Sequence, residues 1–264
     1  MGYQTLLYTM DGGIATITLN RPEKLNAIND ILDREILLAL RQAGADEGVR
    51  VVVVTGAGRG FCAGEDVTGQ RQAGERDAQG ATAQMGAAPA EGFAQVLRGM
   101  SKPTIAAVNG PAVGQGFSLA IACDIRIASD RARLGAIWVL RGAPPESGAA
   151  YNLVRLVGMG KACELTFTGR IIGADEAREI GLVNSVVPHD GLRAATEDLA
   201  RAIAAGPPIA MALAKRSLYL AQEATMSNFL QYEAWALNYA FRTQDREEAV
   251  RAFLEKRTPV YRGQ

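Results

Sequence analysis

Histidine is almost missing from this chain, and so are most other signs of metal, redox or disulfide chemistry. The one histidine, His189, sits in "VVPHDGL", a turn-like setting. A Ser-His-Asp triad would have to use it, and nothing around it suggests one. The three cysteines, Cys62, Cys123 and Cys163, are odd in number, lie far apart and form no C-x-x-C pair. That argues against a disulfide framework or a zinc site and fits a reducing compartment. Formal net charge is +0 and no basic stripe is visible, which leaves no bulk attraction to nucleic acid or to an anionic membrane. No apolar run reaches the length of a membrane span. "MGYQTLLYTMDGG" carries none of the regions of a signal peptide, and Leu6 breaks the myristoylation pattern. The expectation is a cytoplasmic protein with no metal or redox cofactor.

What is present is an ordinary globular composition, hydrophobic 48% and charged 21%, in 264 residues. That length can bury one large core. "IATITLN" (Ile14 to Asn20) alternates as a half-buried strand does. In "NDILDREILLALRQAGAD", Asn29 or Asp30 can cap a helix whose apolar face carries Ile31, Ile36, Leu37 and Leu40. "VRVVVVTG" is a β-branched run ended by glycine, as in a strand covered on both faces, and "PTIAAVNG" is its expected partner. "DIRIAS" is a further strand. The alternation of strands and helices predicts an α/β fold with right-handed crossovers. From Gly69 to Pro89 the chain turns rich in Gly, Ala and Gln, which predicts a surface loop or loose helix over a site. "AAGPP" marks a second boundary. We therefore expect a core over residues 1–204 and a C-terminal helical region over 205–264.

Two segments, "GRGFCAGEDV" (Gly58 to Val67) and "NGPAVGQGFSLAIACD" (Asn109 to Asp124), each follow a predicted strand with a glycine-bearing turn and then a helix. Such turns point unpaired N–H groups outward at a positive helix end. Two side by side can converge on one carbonyl oxygen as an oxyanion hole. "GPAVGQG" matches neither a dinucleotide fingerprint nor a P-loop, because no Gly-Lys-Ser/Thr follows.

The stretches "ITLNRPEKLNAI", "VVVVTGAGRGFCAGEDV", "KPTIAAVNGPAVGQGFSLAIACDIRIAS", "GKACELTFTGRIIGADEAREIGLVNSVVP" and "FLEKRTP" resemble the crotonase, or enoyl-CoA hydratase/isomerase, family in order and over nearly the whole chain. The resemblance implies repeated ββα units, a C-terminal helical trimerisation region that also lids the pocket, a homotrimer or homohexamer, and an acyl-CoA thioester as substrate. It implies oxyanion donors at the backbone N–H groups of Glu65 and Gln115. Both positions are commonly Ala or Gly in the family, and a backbone donor tolerates the change. It further implies CoA contacts around Lys24, Leu25, Ala27 and Ala63, with Gly64 and Gly114 in the two loops and Lys24 and Arg21 as phosphate partners.

Hydratases of the family use two glutamates, and water addition needs two proton-handling groups. Here those positions hold Ser118 and Trp138, so a standard two-glutamate hydratase is not expected. Isomerase branches instead carry one carboxylate after a G-x-x-P stretch, which places Glu146 of "RGAPPESGA" in that role. The expected activity is double-bond isomerisation, with Glu146 as proton shuttle and Trp138 making the pocket dry and flat. The competing role for Glu146 is an N-cap or first-turn residue of the following helix, where a carboxylate suits the helix dipole. Alternatives within the family are a hydratase-like enzyme, an aromatic or ring-epoxide acyl-CoA isomerase and a thioester hydrolase; outside catalysis, an acyl-CoA-binding protein. An aryl-CoA dehalogenase branch shares Trp138 but has histidine where this chain has Glu91, which argues against that reaction.

Overall fold

A computed structural model of the chain describes residues 2–68 and 92–264. The main sheet contains β1 (Leu6–Asp11), β2 (Ile14–Leu19), β3 (Val51–Gly56), β4 (Thr104–Val108), β6 (Ile125–Ser129) and β9 (Ser185–Val187) in the order β1-β2-β3-β4-β6-β9. Only the β1–β2 hairpin is antiparallel. A second sheet has the order β5-β7-β8, from Pro111–Val113, Arg133–Gly135 and Ile171–Gly173.

The repeating unit is ββα. β4 and β5 are followed by one helix, and β6 and β7 by another, and each unit sends its first strand to the large sheet and its second to the small one. The second strand of each unit agrees with the ββα units that the family resemblance implied, while the periodicity reading of strand–helix alternation missed it. Strands of three residues are too short to display a period of two.

The valine run explains why two layers form. Val52 and Val54 of β3 belong to the larger core, while Val51 and Val53 belong to a smaller core on the opposite face. Successive strand residues point to opposite sides, so an uninterrupted β-branched strand needs cover on both. On the larger side lie α1 (Asp30–Ala45), α2 (Phe93–Gly99) and α3 (Gln115–Ala122), with Leu32, Phe93, Leu97 and Phe117 buried. Further along come α4 (Ala149–Thr168) and α5 (Ala174–Glu179); α6 (Leu192–Ala204) covers the smaller core. Asn29 caps α1, its side chain accepting from Leu32 N at 3.0 Å. The buried face of α1 is Leu32, Ile36, Ala39, Leu40 and Ala43. Of the expected face, Ile36 and Leu40 are buried, while Ile31 and Leu37 are only half-buried. Leu32, three residues after the cap, is the one that meets the sheet.

Neither apolar cluster extends beyond Ala204. Beyond it α7 (Pro208–Ala221), α8 (Met226–Ala240) and α9 (Gln244–Glu255) bury few side chains. α7 is fastened to the rest by polar contacts. Lys215 Nζ donates to Leu97 O at 2.8 Å and Lys102 O at 3.0 Å, and pairs with Asp124 Oδ2 at 2.8 Å. Tyr219 OH donates to Asp124 Oδ1 at 2.6 Å. Burial lowers the Lys215 pKa, and Asp124 opposes that shift. Lys215→Met removes one partner of a buried pair, and such losses cost about 3–5 kcal/mol. We expect a correspondingly lower urea midpoint for this variant, read by circular dichroism.

Candidate active site

The site begins where the two glycine loops are pressed together. Phe61 N and Cys62 N donate to Pro111 O at 3.0 and 2.9 Å, and Val113 N donates to Cys62 O at 3.1 Å. Cys62 thus forms a parallel bridge with Ala112, extending the small sheet by one position. Side chains are excluded at the crossing. A Cβ on Gly116 would stand 2.3 Å from Cys62 O, and one on Gly64 (φ +90) would stand 2.9 Å from Val113 O and 3.5 Å from Gln115 N. Only glycine allows this approach. Cys62 lies in the core, and burial pushes its thiol up to about 12.

The direction of the Glu65 amide follows from its neighbours. Ile28 N donates to Gly64 O at 2.7 Å and Asp66 N donates to Ile28 O at 2.8 Å. That is the parallel bridge of Ile28 with Glu65. In such a bridge the central residue turns its own N–H away from the partner strand, here toward the second loop. Gln115 is the first residue of α3, with Gly114 (φ +54) before it. Its N–H has no intrahelical acceptor by position. The two expected donors are therefore neighbours at the positive end of a helix.

Sequence reading did not single out Asn26, which holds the first loop in place. It is fully buried, accepts from Arg21 N at 2.9 Å and donates to Ala57 O at 2.9 Å and Gly60 O at 2.8 Å. Its φ of 57°, beside Leu25 at 50°, is the left-handed conformation that asparagine tolerates best. That tolerance was the available signal. Ala63 N donates to Leu25 O at 2.9 Å and Ala27 N to Lys24 O at 3.1 Å. Lys24 is exposed and Ala27 is 9% exposed. Arg21 is not placed as a phosphate partner. Its guanidinium pairs with Asp66 at 2.8 Å and donates to Ala27 O. Asp66 is structural; a Thr68 hydroxyl bond and then Arg21 hold its carboxyl below the usual range.

Glu146 lies in a turn that starts at the 3₁₀ segment Trp138–Arg141 and ends at α4. Ala143 N donates to Trp138 O at 3.1 Å. Ser147 (φ 51) and Gly148 (φ 73) are both left-handed, a pairing that costs energy at a non-glycine residue and marks functional turns. Gly148 is the N-cap of α4 and no side chain caps it. The capping role for the Glu146 carboxylate is thus excluded. Glu146 is exposed in the single chain, yet enough protein surrounds its carboxyl for lost hydration to raise its pKa. Glu65 and then Asp33 add to the rise, and the Trp138 indole N–H opposes it.

Trp138 is 3% exposed and meets Phe117 edge-on at 5.7 Å. Its Nε1–H lies near enough to the Glu146 carboxyl to stabilise its charged form but falls short of a well-formed hydrogen bond. Ser118 is fully buried, and its hydroxyl donates to Gly114 O at 3.2 Å, a helix-internal bond rather than a nucleophile's. Asp33 and the Gln115 side chain were also missed by sequence reading. Gln115 Nε2 donates to Asp33 Oδ1 at 3.5 Å, and burial raises the Asp33 pKa, with Asp30 adding to it. Glu91 and the stretch expected to overhang the site, Gly69 to Pro89, lie outside the described residues. Among the described residues no helix is long and apolar enough to cross a membrane.

Residues 9–264 match a family model described as enoyl-CoA hydratase/isomerase. The chain belongs to the enoyl-CoA hydratase/isomerase family. The crystal structure of an enoyl-CoA hydratase from Bacillus anthracis is similar to it with a TM-score of 0.90 at 36% identity, covering 99% of this chain and 100% of that one. The fold is accordingly the crotonase fold. Among curated relatives, the short-chain-enoyl-CoA hydratase of Clostridium acetobutylicum is 36% identical over 258 residues, 97% of each chain. The 1,2-epoxyphenylacetyl-CoA isomerase of Escherichia coli is 34% identical over 261 residues, 98% of each. Hydratase and isomerase names thus stand at nearly equal identity, and the site's own residues must separate them.

Gly64→Ala tests the crossing of the loops. We expect binding of acetyl-CoA, measured by calorimetry, to weaken at least about tenfold, because the new methyl meets Val113 O at a left-handed residue.

Proposed function

We propose that this member of the family isomerises the double bond of an acyl-CoA thioester, with Glu146 as the proton carrier. The observation that carries the reading is the placement of Glu146 in a strained turn. It stands beside a buried tryptophan and within electrostatic reach of Glu65, whose amide faces the second glycine loop. The positions of the hydratase glutamates hold Ser118, bonded into its own helix, and Trp138, packed on Phe117. Neither can move a proton to or from carbon.

In this reading the thioester oxygen accepts from the Glu65 and Gln115 amides. The carboxylate of Glu146 takes a proton from the α-carbon of a 3-enoyl thioester. The electron pair of that C–H bond moves through the carbonyl onto oxygen, giving a dienolate held by the two amides. Glu146 then returns the proton at the γ-carbon and the double bond moves into conjugation. No metal or redox cofactor enters. Leu25, Ala27, Ala63, Gly64, Gly114 and the exposed Lys24 form the CoA side of the site, and Trp138 walls the acyl side. The last three helices expose Trp235, Phe241, Phe253 and Leu254, each more than half accessible. That supports assembly into a trimer or a pair of trimers. The hydratase names of several relatives keep water addition as the second reading.

Incubation with a 3-enoyl-CoA, followed by absorbance of the conjugated thioester, is the direct test. Turnover in the wild type should fall by about 10²–10⁴-fold in Glu146→Gln; near-normal turnover in that variant excludes Glu146 as the proton carrier. The pH profile is a further check. The base must be ionised, and its pKa is raised by burial and by Glu65 and Asp33. The rate should therefore drop as pH falls through a midpoint above the ordinary glutamate range. An acid limb at or below that range contradicts the assignment.

A further inference from the structure

We propose that Arg98 is a positioning residue of this enzyme: through Tyr151 it holds the turn that presents Glu146, and through Glu223 it makes that hold depend on the docking of the C-terminal helical region. The inference rests on the reading of Glu146 given above. It concerns side chains to which that reading gives no part.

The turn does not support itself. Ala149 N donates to Glu146 O at 2.9 Å and Asn152 N to Gly148 O at 3.1 Å, so the Glu146 carbonyl is tied to the first turn of α4. No side chain caps that turn. Gly158 (φ 75, ψ 163) breaks α4 in its middle, so the entry segment is a short helix of its own. Its orientation has to come from its neighbours. One of them is α2. A Cβ on Gly148 would stand 3.2 Å from the Ala94 Cβ, so α2 passes directly against the residue that follows the left-handed Ser147. The buried Ala149 and Leu153 supply the apolar part of the seat.

Arg98, one turn along α2 from Ala94, supplies the polar part. Its Nη2 donates to the Tyr151 hydroxyl at 3.1 Å and pairs with Glu223 Oε1 at 2.6 Å, and the Tyr151 hydroxyl itself donates to Glu223. Tyr151 lies in the first turn of α4, so whatever holds its ring sets the tilt of the entry segment. An ion pair at the surface stabilises little by itself. This guanidinium also lies over the Tyr151 ring at 4.9 Å and the Tyr219 ring at 4.2 Å, and Arg155 lies over the Tyr151 ring at 3.4 Å. A planar cation can serve a hydroxyl, a carboxylate and two rings at once, which a lysine cannot.

The other end of the junction is the C-terminal region. Tyr219 is in α7 and Glu223 in the turn after it. Asp124 fixes Tyr219, pairs with Lys215 and accepts from Thr104 N at 2.7 Å, at the start of β4. The cluster therefore joins the main sheet, α2, the entry of α4 and α7 through bonds of fixed direction. Such a chain of packed and hydrogen-bonded groups can carry a displacement from one element to the next. A misplacement of about 1 Å can cost about 10²-fold in rate, so a modest tilt of the α4 entry is enough to move Glu146 out of register with its proton.

The experiment measures kcat and KM for isomerisation of a 3-enoyl-CoA, with acetyl-CoA affinity by calorimetry. The proteins are the wild type, Arg98→Met, Arg98→Lys, Tyr151→Phe, the double variant Arg98→Met/Tyr151→Phe and Glu146→Gln. We expect kcat to fall about 10–100-fold in Arg98→Met and less in Tyr151→Phe, with KM and acetyl-CoA affinity within about twofold. Arg98→Lys should restore only part of the loss, and the double variant should lose less than the product of the two single losses, because both residues act through one contact. An unchanged kcat in Arg98→Met, a loss carried by KM and acetyl-CoA affinity, or single losses that multiply in the double variant overturns the proposal. If circular dichroism shows Arg98→Met to be unfolded, Tyr151→Phe decides, since it removes one oxygen and keeps the ring. A lower kcat at unchanged acetyl-CoA affinity then supports the proposal, and an unchanged kcat overturns it. Failure of the Glu146 reading has a different signature, a wild type without turnover or undiminished turnover in Glu146→Gln, and the proposal falls with it.

Discussion

The contact on which this structure depends is the crossing of two glycine loops. Cys62 pairs with Ala112 across a gap that a methyl group on Gly116 would close. Each loop by itself is a tight turn before a helix, a common device with no chemical meaning. Pressed together they bring two backbone donors to one place at the end of α3. Because the donors are backbone, their position is set by strand register and by absent side chains rather than by rotamers. The site is rigid for the same reason that it is intolerant.

The rest of the architecture supports that crossing. The ββα repeat delivers one strand to each sheet per unit, which brings β3 and β4 side by side and lets the segments after them meet in the small sheet. The alternating valines of β3 bind the two cores to the same strand. Asn26, Arg21 and Asp66 fasten the first loop through hydrogen bonds that leave few buried groups unpaired. Left-handed non-glycine residues recur at the two places that shape the site, Leu25 and Asn26 under the first loop and Ser147 in the turn that presents Glu146.

Electrostatics then separate this site from that of a two-glutamate enzyme. Where such enzymes carry carboxylates, this chain has a hydroxyl turned back on its helix and an indole packed on a phenyl ring. Its negative charge comes instead from the first loop, the first helix and the turn before α4. The pKa of Glu146 is raised by lost hydration and by two like charges, which favour its protonated form over that of an ordinary glutamate.

The sequence by itself determined the α/β class, the strand at Val51–Gly56 with its partner, a cap at Asn29 or Asp30 and the two loops as paired candidates. These are local properties, written in period, branching and turn chemistry. It also marked Glu146 as a lone carboxylate out of place, although the same letters fitted a helix cap. Only the tertiary structure decided that point, since capping depends on where α4 begins, and it begins after Gly148. Only the tertiary structure revealed the three-residue strands, the engagement of Arg21 with Asp66, and the approach of Asp33 and Glu65 to Glu146. Residues 33, 65 and 146 share no period or motif. They act on one another because the fold brings the first helix, the first loop and the turn before α4 within electrostatic range, and charge interaction depends on distance in space alone.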